Sequence, residues 1–135
     1  SYTPLQCAVE NRASYMTKLL LSVGADVNVK DKEGFTPLHH AAAKADASQV
    51  ELLLAYGAKI NIKDNKGYTP LHYAAAEDYS SVSIDTSELL LAKGADVNAK
   101  TNDGKTPADL AKNNATIRNM YLMLRQHGGK ESAEK

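Results

Sequence analysis

Apolar residues come in short bursts separated by polar, glycine-bearing segments, and the bursts are of two alternating kinds. One kind is small, as in Leu38 with Ala41-Ala42-Ala43 or Leu71 with Ala74-Ala75-Ala76. The other is bulky, as in Val50 with Leu52-Leu53-Leu54, or Leu89-Leu90-Leu91. Each burst spans about two to three helical turns, too short for an isolated helix to persist in water, so the pattern predicts paired helices stabilised by stacking on neighbours. A thin alanine layer against a thick leucine layer predicts a curved stack with the alanine helices on its concave side.

The bursts keep register with a four-residue string: Thr3-Pro4-Leu5-Gln6, Thr36-Pro37-Leu38-His39, Thr69-Pro70-Leu71-His72 and the degraded Thr106-Pro107-Ala108-Asp109. The threonines are spaced by 33, 33 and 37 residues, so one unit occurs about four times. Within the second unit, Asp31-Lys32-Glu33-Gly34 predicts a tight turn. Thr36 is then a good N-cap and Pro37 sits at the first helical position, where a missing N–H costs nothing. That helix breaks near Lys44-Ala45. Asp46 with Gln49, or Ser48 with Glu51, offers a capping box for a second helix, which Gly57 ends.

These residues resemble an ankyrin repeat. The resemblance is carried by Thr-Pro-Leu-His-x-Ala at 36 to 41 and 69 to 74, by Gly-Ala-Asp-Val-Asn at 24 to 28 and 94 to 98, and by the variant Gly57-Ala58-Lys59-Ile60-Asn61. The period also agrees with that family. The expected fold is therefore all-α: a solenoid of about four helix-turn-helix units, at 1–30, 31–63, 64–100 and 101–128. The resemblance implies β-hairpin loops projecting from the helix pairs. It also implies that His39 and His72 bond locally to their threonines and to the neighbouring unit. The ending Leu124 to Lys130 is similar to the C-termini of many bacterial members.

Two units depart from the pattern. The third has four more residues between threonine and helix-ending glycine than the first two, placed most simply around Tyr79 to Val82. Ser87 takes the core position of Val50, with Ile84 expected to take over its packing. The fourth puts Ile117, Met120, Tyr121 and Leu124 on one helix face, with Arg118, Asn119 and Arg125 elsewhere, as a terminal cap requires. Residues 129–135 read as a disordered polar tail. Ser1 opens the chain partway through a unit, which fits the C-terminal part of a longer array.

Sixteen basic residues balance sixteen acidic ones, so no overall field draws the chain to nucleic acid or an anionic membrane. No apolar run approaches the roughly 20 residues of a membrane helix. Cys7 is the single cysteine and lacks a repeat-encoded base, and no Cys/His spacing suits zinc. The expected protein is non-catalytic, without cofactor or metal, cytoplasmic and monomeric, with self-association through its first unit as an alternative.

The candidate site is a ladder of aromatics just before each threonine: Tyr2, Phe35 and Tyr68, with Lys105 in the fourth place. Aromatics are favoured at binding hot spots, and these should align as a stripe along the turns. Around them the tips carry Lys32, Glu33, Asn65, Lys66, Asn102 and Asp103. The inner-helix ends add Glu10, Asn11, Lys44 and Glu77, and the insertion adds Tyr79. By resemblance these are the contact candidates for a protein partner, and the chain is expected to be an interaction scaffold. The alternative is a targeting module of a larger enzyme or secreted effector.

Overall fold

The computed structural model describes residues 3–76, 81–112 and 118–132. Within them run α1 (Pro4–Glu10), α2 (Ser14–Ser22), α3 (Pro37–Ala43), α4 (Ala47–Ala55), α5 (Pro70–Ala76), α6 (Ser81–Ala92), α7 (Pro107–Lys112) and α8 (Arg118–Gln126). Each odd-numbered helix pairs with the even-numbered one after it. Odd helices pack on odd and even on even between units, giving an inner layer and an outer layer. The inner neighbours pack the more extensively, which bends the stack toward the alanine side as the side-chain sizes imply.

The repeated strings set the helix ends. Thr36 Oγ1 caps the His39 N–H, and the His39 ring returns a bond to the Thr36 N–H at 3.0 Å, closing a reciprocal capping box. Gln6 closes the same box with Thr3, and His72 with Thr69. At the second helix of the unit, Asp46 accepts from the Gln49 N–H at 3.2 Å. The box stays half made, because the Gln49 amide meets no partner among the described residues. At the other end, the Gly57 N–H donates to the Leu54 carbonyl and the Ala58 N–H to the Leu53 carbonyl, a Schellman ending repeated at Gly24, Gly94 and Gly128.

Leu5, Leu38, Leu71, Leu53, Leu90, Met120 and Leu124 fill one continuous core between the layers, with Ala41, Ala42, Ala74 and Ala75 allowing close approach. Polar joints then tie unit to unit. The His39 Nε2–H donates to the Tyr68 carbonyl and His72 Nε2–H to the Lys105 carbonyl, both at 2.9 Å. Asn28, Asn61 and Asn98 each clamp the next unit. Asn61, for example, donates to the Gly94 carbonyl at 3.3 Å and accepts from the Asp96 N–H at 2.8 Å. Lys30 and Lys63 reach the carbonyls of Lys63 and Lys100.

The projecting loops are tight turns, and no described residue lies in a strand. In place of a strand ladder, the tips bond one to the next: Asn65 N–H to the Glu33 carbonyl and Asn102 N–H to the Lys66 carbonyl, each at 3.0 Å. One such bond per turn holds neighbouring tips without a ladder.

Three of the four added residues in the third unit lengthen a helix rather than a loop. α6 has 12 residues against 9 in α4, and Ser81 and Val82 belong to it. Ser87 is buried and its hydroxyl meets no described partner, while Ile84 packs partly buried against the core. In the last unit Met120, Met123 and Leu124 are buried and Asn119 and Arg125 exposed. Residues 129–132, expected within the polar tail, are bonded to the third and fourth units: Lys130 N–H to Asn98 at 2.7 Å and Ser132 N–H to Asp109 at 3.0 Å. Burial alone would raise the Asp109 pKa, but bonds from Thr106 and Ser132 outweigh it and hold the carboxyl below its ordinary value. Tyr2, Glu77, Tyr79, Ile117 and residues 133–135 lie outside the described residues.

Candidate functional site

The aromatics before the threonines are aimed by the turns that precede them. Asp31 Oδ1 accepts from the Glu33 and Phe35 N–H groups at 2.9 and 3.0 Å, while the Asp31 N–H donates to the Phe35 carbonyl. Asp64 does the same for Lys66 and Tyr68. Each turn closes over a glycine of positive φ, Gly34 or Gly67, and delivers its aromatic onto the inner-helix face, half-buried.

The expected stripe is there for Phe35 and Tyr68, but it runs through a third ring. Tyr73 of α5 lies 5.6 Å from Phe35 and 5.2 Å from Tyr68, centroid to centroid. Phe35 also meets His40 edge-on at 5.4 Å, and Tyr73 meets His39 at 5.7 Å. These edge-to-face and tilted contacts are the favoured geometry of aromatic pairs. Between them opens a pocket of about 120 Å³ lined by Phe35, His39, His40, Ala43 and Tyr73. Lys105, exposed, ends the row with its carbonyl bonded to His72.

Carboxylates surround this cluster. The Tyr73 hydroxyl donates to Asp64, which is only 7% exposed. Burial, and then that bond, push the Tyr73 pKa up, so the phenol keeps its proton. His40 stands between two acids: Glu10 Oε1 lies 2.7 Å from Nδ1 and Asp31 Oδ2 lies 3.5 Å from Nε2. Lys44 reaches the other oxygen of Glu10 at 3.6 Å. Arg12 bonds the Lys44 carbonyl at 2.8 Å and pairs with Asp46 at 3.8 Å, so the first unit is docked on the second by ions as well as by apolar packing.

The remaining candidates divide by what they touch. Asn65 donates to the Lys32 carbonyl and Asn102 to the Asn65 carbonyl, both at 2.9 Å, so these side chains join the tips together. Asn11 is exposed and donates to the Cys7 carbonyl of its own helix. Lys32, Glu33, Lys66 and Asp103 are exposed on the tips, flanking the ring cluster. Tyr73, Asp31, Asp64 and His40 were not among the expected contacts. For His40 and Tyr73 the signal was one unit position, shared with Cys7, which directly follows the capping residue.

Other chemistry finds less support in the geometry. Among the described residues no three His, Cys, Asp or Glu side chains are grouped to hold a metal ion, and the acids around His40 face different ring nitrogens. Cys7 is exposed. His39 and His72 are buried, which lowers their pKa values against the opposing pull of their carbonyl partners and keeps them neutral joints. No helix among the described residues is long and apolar enough to cross a membrane. A separate apolar area lies on the first unit, where Tyr15 and Val23 are 80% and 74% exposed and Met16 and Leu19 are also open. The geometry on this face is one of ring edges, carboxylate oxygens and an open pocket.

A family model described as ankyrin repeats, in three copies, matches residues 5–101 and again 44–132. Comparison with curated proteins gave no match.

Proposed function

Since the chain belongs to the ankyrin-repeat family, whose members generally serve as protein–protein interaction modules and are typically non-catalytic, we propose that it is an interaction scaffold for a partner protein or peptide. The contact surface in this reading is the inner-helix face with its flanking tips, centred on Phe35, Tyr73 and Tyr68. One observation carries it: Phe35 and Tyr73 stand half-buried around an open pocket, with Tyr68 against Tyr73, on the face that the turns and inner helices share. Core packing does not require this arrangement, because the units are already joined by the histidine, asparagine and leucine contacts. Binding energy at such surfaces concentrates in a few central aromatic residues, with the polar rim contributing mainly specificity and encounter rate.

The test is a paired substitution, Phe35→Ala with Tyr68→Ala, in the whole chain. A partner isolated by affinity capture is purified and titrated calorimetrically against both proteins. The expected result is a loss of affinity of at least about tenfold, since truncating a hot-spot residue commonly costs 2 kcal/mol or more. Equal affinity, with the unfolding curve showing an intact fold, removes this face as the contact surface.

A further inference from the structure

Resting on that reading of the face, we propose that the pocket between Phe35 and Tyr73 receives an arginine side chain from an extended partner segment. The pocket is about 120 Å³, the share of roughly four waters, which is room for the end of one long side chain. Its walls are the rings of Phe35, Tyr73, His39 and His40. A cation over such ring faces gains from their negative quadrupole. Tyr73 is well placed for this: its hydroxyl proton is directed to the Asp64 carboxylate, which raises electron density in the ring.

Charge decides between occupants. Glu10, Asp31 and Asp64 are bonded to the residues that line the pocket, and Glu33 stands on the adjoining tip. Against them stand Lys44, already paired with Glu10, and His40, whose two nitrogens each face an acid. Lys32 and Lys66 are exposed on the tips beside them. An acidic side chain entering here meets like charge. An apolar one draws nothing from the acidic surroundings. A guanidinium suits both features, because its plane stacks on the ring walls while its charge is drawn by the carboxylates bonded to those walls, and a lysine ammonium does only the second well.

The experiment titrates isotope-labelled full chain with the peptide acetyl-Gly-Arg-Gly-amide, following backbone amide shifts by NMR. The comparison probe replaces arginine by citrulline, which has nearly the same shape without the charge. Saturating shifts are expected at Phe35, Ala43 and Tyr73, with citrulline binding about tenfold more weakly. Added salt and Glu10→Gln should each weaken the arginine peptide, and Phe35→Leu should abolish its saturation. Should Phe35→Leu disturb the fold, the Glu10→Gln substitution, at a half-buried position outside the core, still decides. Equal binding of the citrulline peptide overturns the proposal, as do shifts that fail to saturate or map elsewhere. If the arginine peptide fails while a purified partner still loses affinity in the Phe35→Ala, Tyr68→Ala protein, the scaffold reading stands and the arginine assignment falls.

Discussion

Gly34, Gly67 and Gly104 hold one unit position in three successive turns, at φ of +81°, +82° and +78°. They differ only in what lies beyond them. A methyl group at Gly67 would sit 2.6 Å from both the backbone nitrogen and the side-chain oxygen of Asn102, whereas at Gly104 it would meet nothing within 4 Å. Gly67→Ala and Gly104→Ala therefore share the left-handed strain of an alanine, about 1–2 kcal/mol, and their difference isolates the contact between tips. To clear the methyl, the fourth unit's tip must move off the third. Two bonds hold it there, the Asn102 N–H to the Lys66 carbonyl at 3.0 Å and the Asn102 Nδ2–H to the Asn65 carbonyl at 2.9 Å. Each contributes about 1 kcal/mol net at most in this exposed setting. Gly67→Ala should thus be less stable than Gly104→Ala by about 1–2 kcal/mol, a noticeable part of the roughly 5–15 kcal/mol that holds a domain together. Urea unfolding followed by circular dichroism, with slopes checked for equality, measures the difference. Coincident curves for the two variants would refute the idea that tip-to-tip contact couples the units.

The histidine joint gives a second prediction. His72→Leu strands the Thr69 N–H and the Lys105 carbonyl in a buried setting, so a loss of about 2–4 kcal/mol is expected, while His72→Gln should recover the local cap, as Gln6 does with Thr3. Equal denaturation midpoints for the two variants would show that the ring's hydrogen bonds carry no weight. The third concerns pH: the native pKa values of both His39 and His72 lie below 6.5, so below about pH 6.5 the unfolded chain binds protons that the folded chain refuses. Stability should be full above about pH 7 and fall as pH drops from 6.5 toward 5, with a shallower fall in His72→Gln; a urea midpoint constant from pH 7.5 to 5.5 would contradict it.

The scaffold was legible because its determinants are local. Thr36, Pro37 and His39 lie within one turn, and Gly57 acts on the helix it ends, so residue type and spacing suffice to predict the caps. The site was legible only in part, for a geometric reason. Aligning units places equal positions side by side, which suggested Phe35 beside Tyr68, yet a turn residue meets the next unit's inner helix at a different position, and there stands Tyr73. Polarity misled at the tips in a similar way. Asn65 and Asn102 are exposed amides suited to a partner, but spacing cannot tell that the first partner is the neighbouring turn. Spacing likewise located the added residues of the third unit without their conformation, and of these Ser81 and Val82 lie in α6.

What separates framework from recognition surface in such an array is which unit positions tolerate difference. The capping position keeps a group that bonds its threonine in all four units, Gln6, His39, His72 and Asp109, because each must satisfy that residue's N–H. The very next position holds Cys7, His40, Tyr73 and Leu110, four unlike side chains, none fully buried and none bonded to its unit's threonine side chain. Their contacts differ from unit to unit, His40 meeting Glu10 and Asp31 and Tyr73 meeting Asp64, so this position does not demand one chemistry. Next to that row lies a second, Phe35, Tyr68 and Lys105, delivered by the turns. Only in the second and third units do both rows carry rings, and only there do the flanking aspartates, Asp31 and Asp64, face them; the fourth turn has Thr101 instead. Rings and carboxylates coincide in these two units, which is why the proposed contact is centred there.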